Sequence, residues 1–182
     1  NMSYMALDLK DPLTVQAETS GHNRDSFPDW AIVHYEFPKR KDRDALQVHW
    51  YDGGKKPAAS LAPGFDFGGN GSIVVCEKGT IYSPDESNTR FLLVGGGELP
   101  DIQVEESPGH MAEFARAALG GKPARSNIPE YSGPLTETVL LGNLAIWADG
   151  PKLEWDAKAM KVKGTNEFDE LIRPKFRPGW AV

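Results

Sequence analysis

The run from Val139 to Trp147 (VLLGNLAIW) constrains the fold more than any other stretch of the chain. It is apolar on nearly every side, so a helix built from it has no solvent face and is expected to be buried. Pro134 suits the first turn of that helix, and Glu137 sits where the helix dipole favours negative charge. A short strand is expected to follow the helix, within the stretch that ends at Trp155. With 182 residues, 40% hydrophobic and 25% charged, the chain has enough material to surround such a helix. One folding unit is therefore expected over residues 1–182.

The partner for the helix is legible as alternating strands. Trp30 to Phe37 (WAIVHYEF) puts Ala31, Val33, Tyr35 and Phe37 on one face and Trp30, Ile32, His34 and Glu36 on the other. Ala45 to Asp52 repeats the design, with Leu46, Val48 and Trp50 opposed to Gln47, His49 and Tyr51. The charged run between them (KRKDR, Lys39 to Arg43) reads as the loop of an antiparallel hairpin. Pro12 to Gly21 alternates more weakly and is read as a strand. Gly53-Gly54 ends the hairpin, and the Pro- and Gly-rich segment from Pro57 to Gly71 is a long loop of the kind that carries binding groups. SIVVCEK, GTIYSP and RFLLVG add short strands, giving an expected sheet of at least five members.

Helical spacing returns at His110 to Leu119, where Met111, Phe114, Ala115 and Ala118 form an apolar side. At the start of the chain Met2, Met5, Ala6 and Leu9 repeat like the stripe of a helix without a start signal, which reads as a helix cut in mid-course. One turn is expected around Glu167 to Ile172, before prolines force RPKFRPGW to run extended. Strands followed by helices, without regular alternation, argue for an α+β fold: an open, mainly antiparallel β-sheet with helices packed on one face.

Several chemistries are disfavoured on the residues alone. A dinucleotide fingerprint requires strand, glycine turn and helix start in that order. FGGNG (Phe67 to Gly71) instead precedes a strand, and VGGGELP (Val94 to Pro100) runs into proline and acidic residues. Both read as turns. A formal charge of -6 opposes nucleic-acid binding, and no long apolar segment suggests a membrane span. The lone cysteine, Cys76, lies in an apolar strand and reads as a buried, inert thiol. His34 and His49 fall on neighbouring strands, with Glu36 or Asp52 as conceivable carboxylate partners for a metal. Metal sites need three or more converging ligands, so hydrogen-bonded or sugar-contacting histidines, or burial at a subunit contact, are the preferred readings. His22 reads as solvated. His110 stands at a helix start, where packing is favoured over a cleft contact.

The TETVLLGN, LEWD and RPGW series, together with WYDGGKKP (Trp50 to Pro57) and GSIVVCEKGTI (Gly71 to Ile81), resembles the C-terminal part of Gfo/Idh/MocA-type oxidoreductases. These are NAD(P)-dependent sugar and cyclitol dehydrogenases related to glucose-fructose oxidoreductase and inositol dehydrogenase. The resemblance implies a C-terminal domain of the glyceraldehyde-3-phosphate dehydrogenase-like type, concerned with substrate binding and oligomerisation. It also implies that NAD or NADP belongs to the parent protein, held by an N-terminal Rossmann domain whose glycine turn and E-K-P lysine are not in this sequence. The family's D-x-x-x-H histidine would fall just before Asn1. By this resemblance the 182 residues contain no catalytic, cofactor-binding or metal residue and are inactive alone.

In that family the segment before GSIVVCEKGTI often supplies a substrate contact. Here it reads GFDFGGN without a tyrosine, leaving Asp66 or Asn70 in that place. The candidates for the substrate pocket are His49, Tyr51, Asp52, Asp66, Asn70 and His110. Expected partners are a sugar or cyclitol in the parent protein and a second copy of the chain, meeting through the half-apolar Trp30, Ile32, His34, Glu36 face. Nucleic acid and membrane are not expected, and a cytoplasmic setting is favoured over export. Three other readings remain: an NAD-dependent glycosidase of the same fold, a free-standing non-catalytic carbohydrate-binding or assembly module, and a regulatory dimerisation domain.

Overall fold

The computed structural model describes residues 2–87 and 89–180. The expectation of a helix continuing upstream of Asn1 lies outside them. Among the described residues the chain forms eight strands in two antiparallel sheets, together with four α-helices. The α+β class is therefore observed. The chain divides into two compact units, one of Tyr4–Lys56 with the chain from Thr136 onward, the other containing Pro57–Leu135.

The first unit is built on a five-stranded sheet. Its strands are β1 (Thr14–Thr19), β2 (Ala31–Phe37), β3 (Leu46–Tyr51), β7 (Leu153–Asp156) and β8 (Lys161–Val162), in the order β3-β2-β1-β7-β8. Alternation decides which side chains go inward. Val15, Ala17, Val33, Tyr35, Phe37, Leu153, Trp155 and Val162 are all buried, and the residues between them are not. Helix α3 (Gly133–Ala148) packs on that inward face. Thr138, Leu141, Gly142 and Ala145, spaced three and four apart, form its buried stripe.

Gly142 is required at the crossing. A Cβ there would lie 2.3 Å from the Tyr35 hydroxyl, so only glycine lets helix and sheet come this close. Burial holds the Tyr35 phenol protonated far above its ordinary range, although a hydrogen bond with the Gly142 backbone opposes the shift. The Trp155 indole N–H donates to Glu137 at 2.8 Å, and the Thr138 hydroxyl donates to the Leu9 carbonyl at 3.3 Å. Contrary to the sequence-based expectation, α3 is not buried all round: Val139 is 55% exposed and Leu140 56%. A helix lying on one sheet face is covered on that side only, and these two residues point away from it.

The charged hairpin loop between β2 and β3 also anchors the chain that follows α1 (Met2–Leu7). The Arg43 guanidinium donates to the carbonyls of Leu7, Pro38, Asp44 and Asp8, and Arg40 donates to the Lys10 carbonyl and the Asp11 carboxylate. Arg43's fork of donors satisfies carbonyls left over where α1 ends. The stripe expected along α1 is different in the structure. Tyr4 and Leu9 are the buried residues, whereas Met5 is exposed. His22 is not solvated either, since its ring stands edge-on to Trp147 with centroids 4.7 Å apart.

The second unit contains a three-stranded sheet of β4 (Ser72–Cys76), β5 (Gly79–Ser83) and β6 (Leu92–Leu93). These strands do not extend the first sheet as expected; β7 and β8 bring that sheet to five. Tyr82 packs edge-on against Phe65 and at a tilt to Phe67, at 5.1 and 5.6 Å between ring centres. Cys76 pairs with Gly79 at the turn end of the β4–β5 hairpin and is exposed, so the expectation of a buried thiol is corrected. Strand position gave the pairing but not which face is covered.

Helix α2 (His110–Ala118) also reverses its expected orientation. Met111 and Phe114 are 83% and 70% exposed, and the buried residue is Glu113. Its carboxylate accepts from the Ser107 hydroxyl at 2.8 Å and from the Arg125 backbone N–H at 2.9 Å. Those two donors hold Glu113 below the usual carboxylate range. A charged acceptor satisfying a backbone N–H of the turn after the helix sets the orientation that the apolar stripe does not.

Candidate functional site

The face of the five-stranded sheet opposite α3 is polar, and register sets its composition. Thr14, Glu36 and Gln47 lie side by side across β1, β2 and β3; the next row is Gln16, His34 and His49; the next is Glu18, Ile32 and Tyr51. Each row is a set of direct cross-strand neighbours whose side chains meet above the sheet. Lys152, just before β7, reaches the first row and donates to Glu36 at 2.8 Å.

His34 is the centre of this array. Its Nε2 lies 2.9 Å from Glu18 Oε1, and its Nδ1 lies 2.6 Å from Nδ1 of His49. The Glu18 carboxylate only accepts, so Nε2 of His34 carries a proton. The pair of Nδ1 atoms shares a single proton between them, because two N–H groups cannot face each other at hydrogen-bond distance. With both rings neutral, His49 donates from Nδ1 and His34 accepts. Burial, and then the neighbouring His34, push the His49 pKa below its ordinary value and favour its neutral form. Glu36 is also displaced downward, by the hydrogen bonds from Lys152 and Thr14. His34, His49, Thr14, Glu36 and Lys152 line a recess of about 210 Å³ with Gln16 and Gln47.

The six candidates from sequence divide between the units. In the sheet unit, His49 belongs to the histidine row, and Tyr51 is two residues along on the same face, opposite Ile32. Asp52 turns back on its own chain, its Oδ1 accepting the Gly53 N–H at 2.7 Å, which limits the turn that ends β3. In the other unit, Asp66 and Asn70 are exposed in the loop before β4. The Asp66 carbonyl accepts from the Tyr82 hydroxyl at 3.5 Å, and the Asn70 amide donates to Glu86 at 3.4 Å. His110 is exposed at the start of α2. That unit also has an open recess of about 370 Å³, walled by Phe65, Phe91, Leu92, Leu93 and Leu99 and floored by Gly95 to Gly97.

The sequence puts His34 and His49 on neighbouring strands without fixing their register, which the structure sets as a direct pair, and it does not point to Glu18, Gln16, Thr14 or Lys152. The missing signal was parity in β1, where Thr14, Gln16 and Glu18 alternate with the apolar Val15 and Ala17 and share the histidines' face. The carboxylates first considered beside the histidines are committed elsewhere, Glu36 to Lys152 and Thr14, Asp52 to Gly53. Among the described residues no group of three or more His, Cys, Asp or Glu side chains is arranged to hold a metal ion. Nor is any helix among them long and apolar enough to cross a membrane. No protein-family model matches the chain, and no curated protein matches it.

Proposed function

We propose that this chain is the substrate-binding and oligomerisation half of an NAD(P)-dependent oxidoreductase of the Gfo/Idh/MocA type, acting on a sugar or cyclitol and inactive by itself. One observation carries the reading: α3 covers a single face of the five-stranded antiparallel sheet and leaves the opposite face open. That arrangement fits an open-sheet domain of the glyceraldehyde-3-phosphate dehydrogenase-like type. The quoted motifs support the same reading by their positions, with TETVLLGN forming half of α3 and LEWD forming β7.

The open face suits self-association. Ile32 and Tyr51 supply apolar surface beside the Glu18, His34 and His49 hydrogen bonds, the mixed character of an isologous contact between two copies. In this reading NAD or NADP is held by a nucleotide-binding fold outside these 182 residues, and the loop with Asp66 and Asn70 contributes to the sugar pocket.

Calorimetry and light scattering test the proposal. The 182-residue chain is expected to take up neither NAD nor NADP and to self-associate at high concentration. A longer polypeptide that includes a dinucleotide fold is expected to reduce the cofactor with a member of a sugar and cyclitol panel. Dinucleotide binding by the chain alone, or a longer protein without cofactor-dependent turnover, overturns the reading.

A further inference from the structure

We propose that His34 and His49 form a two-imidazole chelate on the open sheet face for a divalent late transition metal of square-planar or tetragonal preference, copper(II) before nickel(II). The two rings are direct neighbours in the β2–β3 register, and their Nδ1 atoms already face each other at 2.6 Å. Two nitrogens bonded to one metal at about 2.0 Å lie about 2.8 Å apart at a right angle and about 3.3 Å apart at a tetrahedral angle. The observed spacing is close to the first value, so copper(II) fits with a small opening of the pair and zinc(II) needs a larger one. Histidine χ2 is a broad torsion, and the rings, inclined at 73°, turn to direct both lone pairs at a common point.

The surroundings favour the metal-ready form. Glu18 accepts the Nε2–H of His34, which fixes the tautomer whose Nδ1 presents a lone pair, as a carboxylate does behind a metal-bound histidine. Glu18 is therefore a positioning residue. On binding, the proton of His49 leaves Nδ1 and reappears on Nε2, so two neutral rings become two ligands without net proton release. Lys152, which lines the same recess, is neutralised by Glu36, and Gln16 and Gln47 add no charge. Water completes the coordination, because among the described residues no third His, Cys, Asp or Glu side chain joins these two nitrogens. The absence of a third protein ligand makes the site exchangeable, in contrast to the closed three- and four-ligand sites of structural metals.

Copper(II) titration of the 182-residue chain near pH 7.5, followed by visible absorption and electron paramagnetic resonance, tests this directly. The expected result is one equivalent of copper with hyperfine structure from two nitrogens, and weaker binding of nickel(II) and then zinc(II). The chain has 4 histidines, so the H22A/H110A variant serves as the control that retains the signal. H34A and H49A are each expected to lose the two-nitrogen signature while keeping the wild-type far-ultraviolet circular dichroism. E18Q is expected to weaken binding about tenfold while leaving that signature intact. Wild-type protein without a two-nitrogen site, or a signal that survives in folded H34A or H49A, overturns the proposal. Light scattering in the same titration records association separately, so failure of the self-association reading remains distinguishable from failure of the metal site.

Discussion

The two compact units use similar apolar patterns and bury very different amounts of them. In the sheet unit Val15, Ala17, Val33, Tyr35, Phe37, Leu153 and Trp155 meet Leu141, Leu144, Ala145 and Ile146 of α3, and together they make a continuous core. In the unit containing Pro57–Leu135 the buried side chains are Ala62, Tyr82, Ser83 and Glu113, while Ile102, Val104, Met111, Phe114, Leu119 and Ile128 are exposed. The difference teaches that periodicity specifies an element and its two sides, but the side that ends inside depends on what is available to cover it. Val33 and Tyr35 have the helix above them at Gly142. Met111 and Phe114 have nothing over them, and Glu113 with its two donors fixes the helix instead.

The largest expected effect comes from a pair of truncations that sets one unit against the other. Phe37→Ala removes a side chain that is 1% exposed and is expected to cost about 3–5 kcal/mol, read from the urea midpoint. Phe114→Ala is expected to fall within about 0.5 kcal/mol, because its ring is already in water. Equal costs for the two would break the comparison. Gly142→Ala comes next: its new methyl collides with the Tyr35 hydroxyl, and an overpacking cost of about 1–3 kcal/mol is expected. Adding Tyr35→Phe is expected to recover part of that loss, and an additive pair of costs would refute the contact.

A smaller effect is expected on the open face. Glu36 is held below its usual range chiefly by Lys152, so its ionised form stabilises the folded state. That contribution is full above the unfolded carboxylate range, near pH ~4.3, and disappears as pH falls through the lower folded value. Glu36→Gln is expected to flatten the acid limb of a pH-dependent melting series while costing under about 1 kcal/mol at neutral pH, since the pair is partly exposed. An unchanged acid limb would remove Glu36 from the account. The smallest effect is at Cys76, whose exposed thiol is expected to react fully with a thiol reagent in native protein and leave the melting temperature unchanged. Labelling that requires denaturant would restore the buried reading.

Much of the sheet unit was legible because alternation over six or seven residues leaves one assignment of faces. The faces of β2 and the hairpin to β3 followed from that rule, whereas the register that makes His34 and His49 direct neighbours did not. A short strand after the long helix was legible, but its place beside β1 was not, since Leu153 lies far along the chain from its partner Val15. The site was legible only in part for the same reason. His49 and Tyr51 were found on one strand, whereas Glu18 and Lys152 join the face from other segments of the chain. Cys76, His22 and the apolar side of α2 were misread because each was assigned a neighbourhood from its own segment alone.

By itself the sequence determined local conformation: which residues alternate, which repeat at helical spacing, where proline and glycine stop an element, and that two histidines lie on adjacent strands of one hairpin. Those features depend on contacts a few residues apart, and backbone geometry settles them. Tertiary structure alone decided that β7 and β8 complete the first sheet, that α3 leaves Val139 and Leu140 uncovered, that Glu113 and not Phe114 turns inward, and that Glu18 fixes the tautomer of His34. Each of these depends on which distant segment supplies a hydrogen-bond partner or removes water from a surface, and no local pattern encodes the position of that segment.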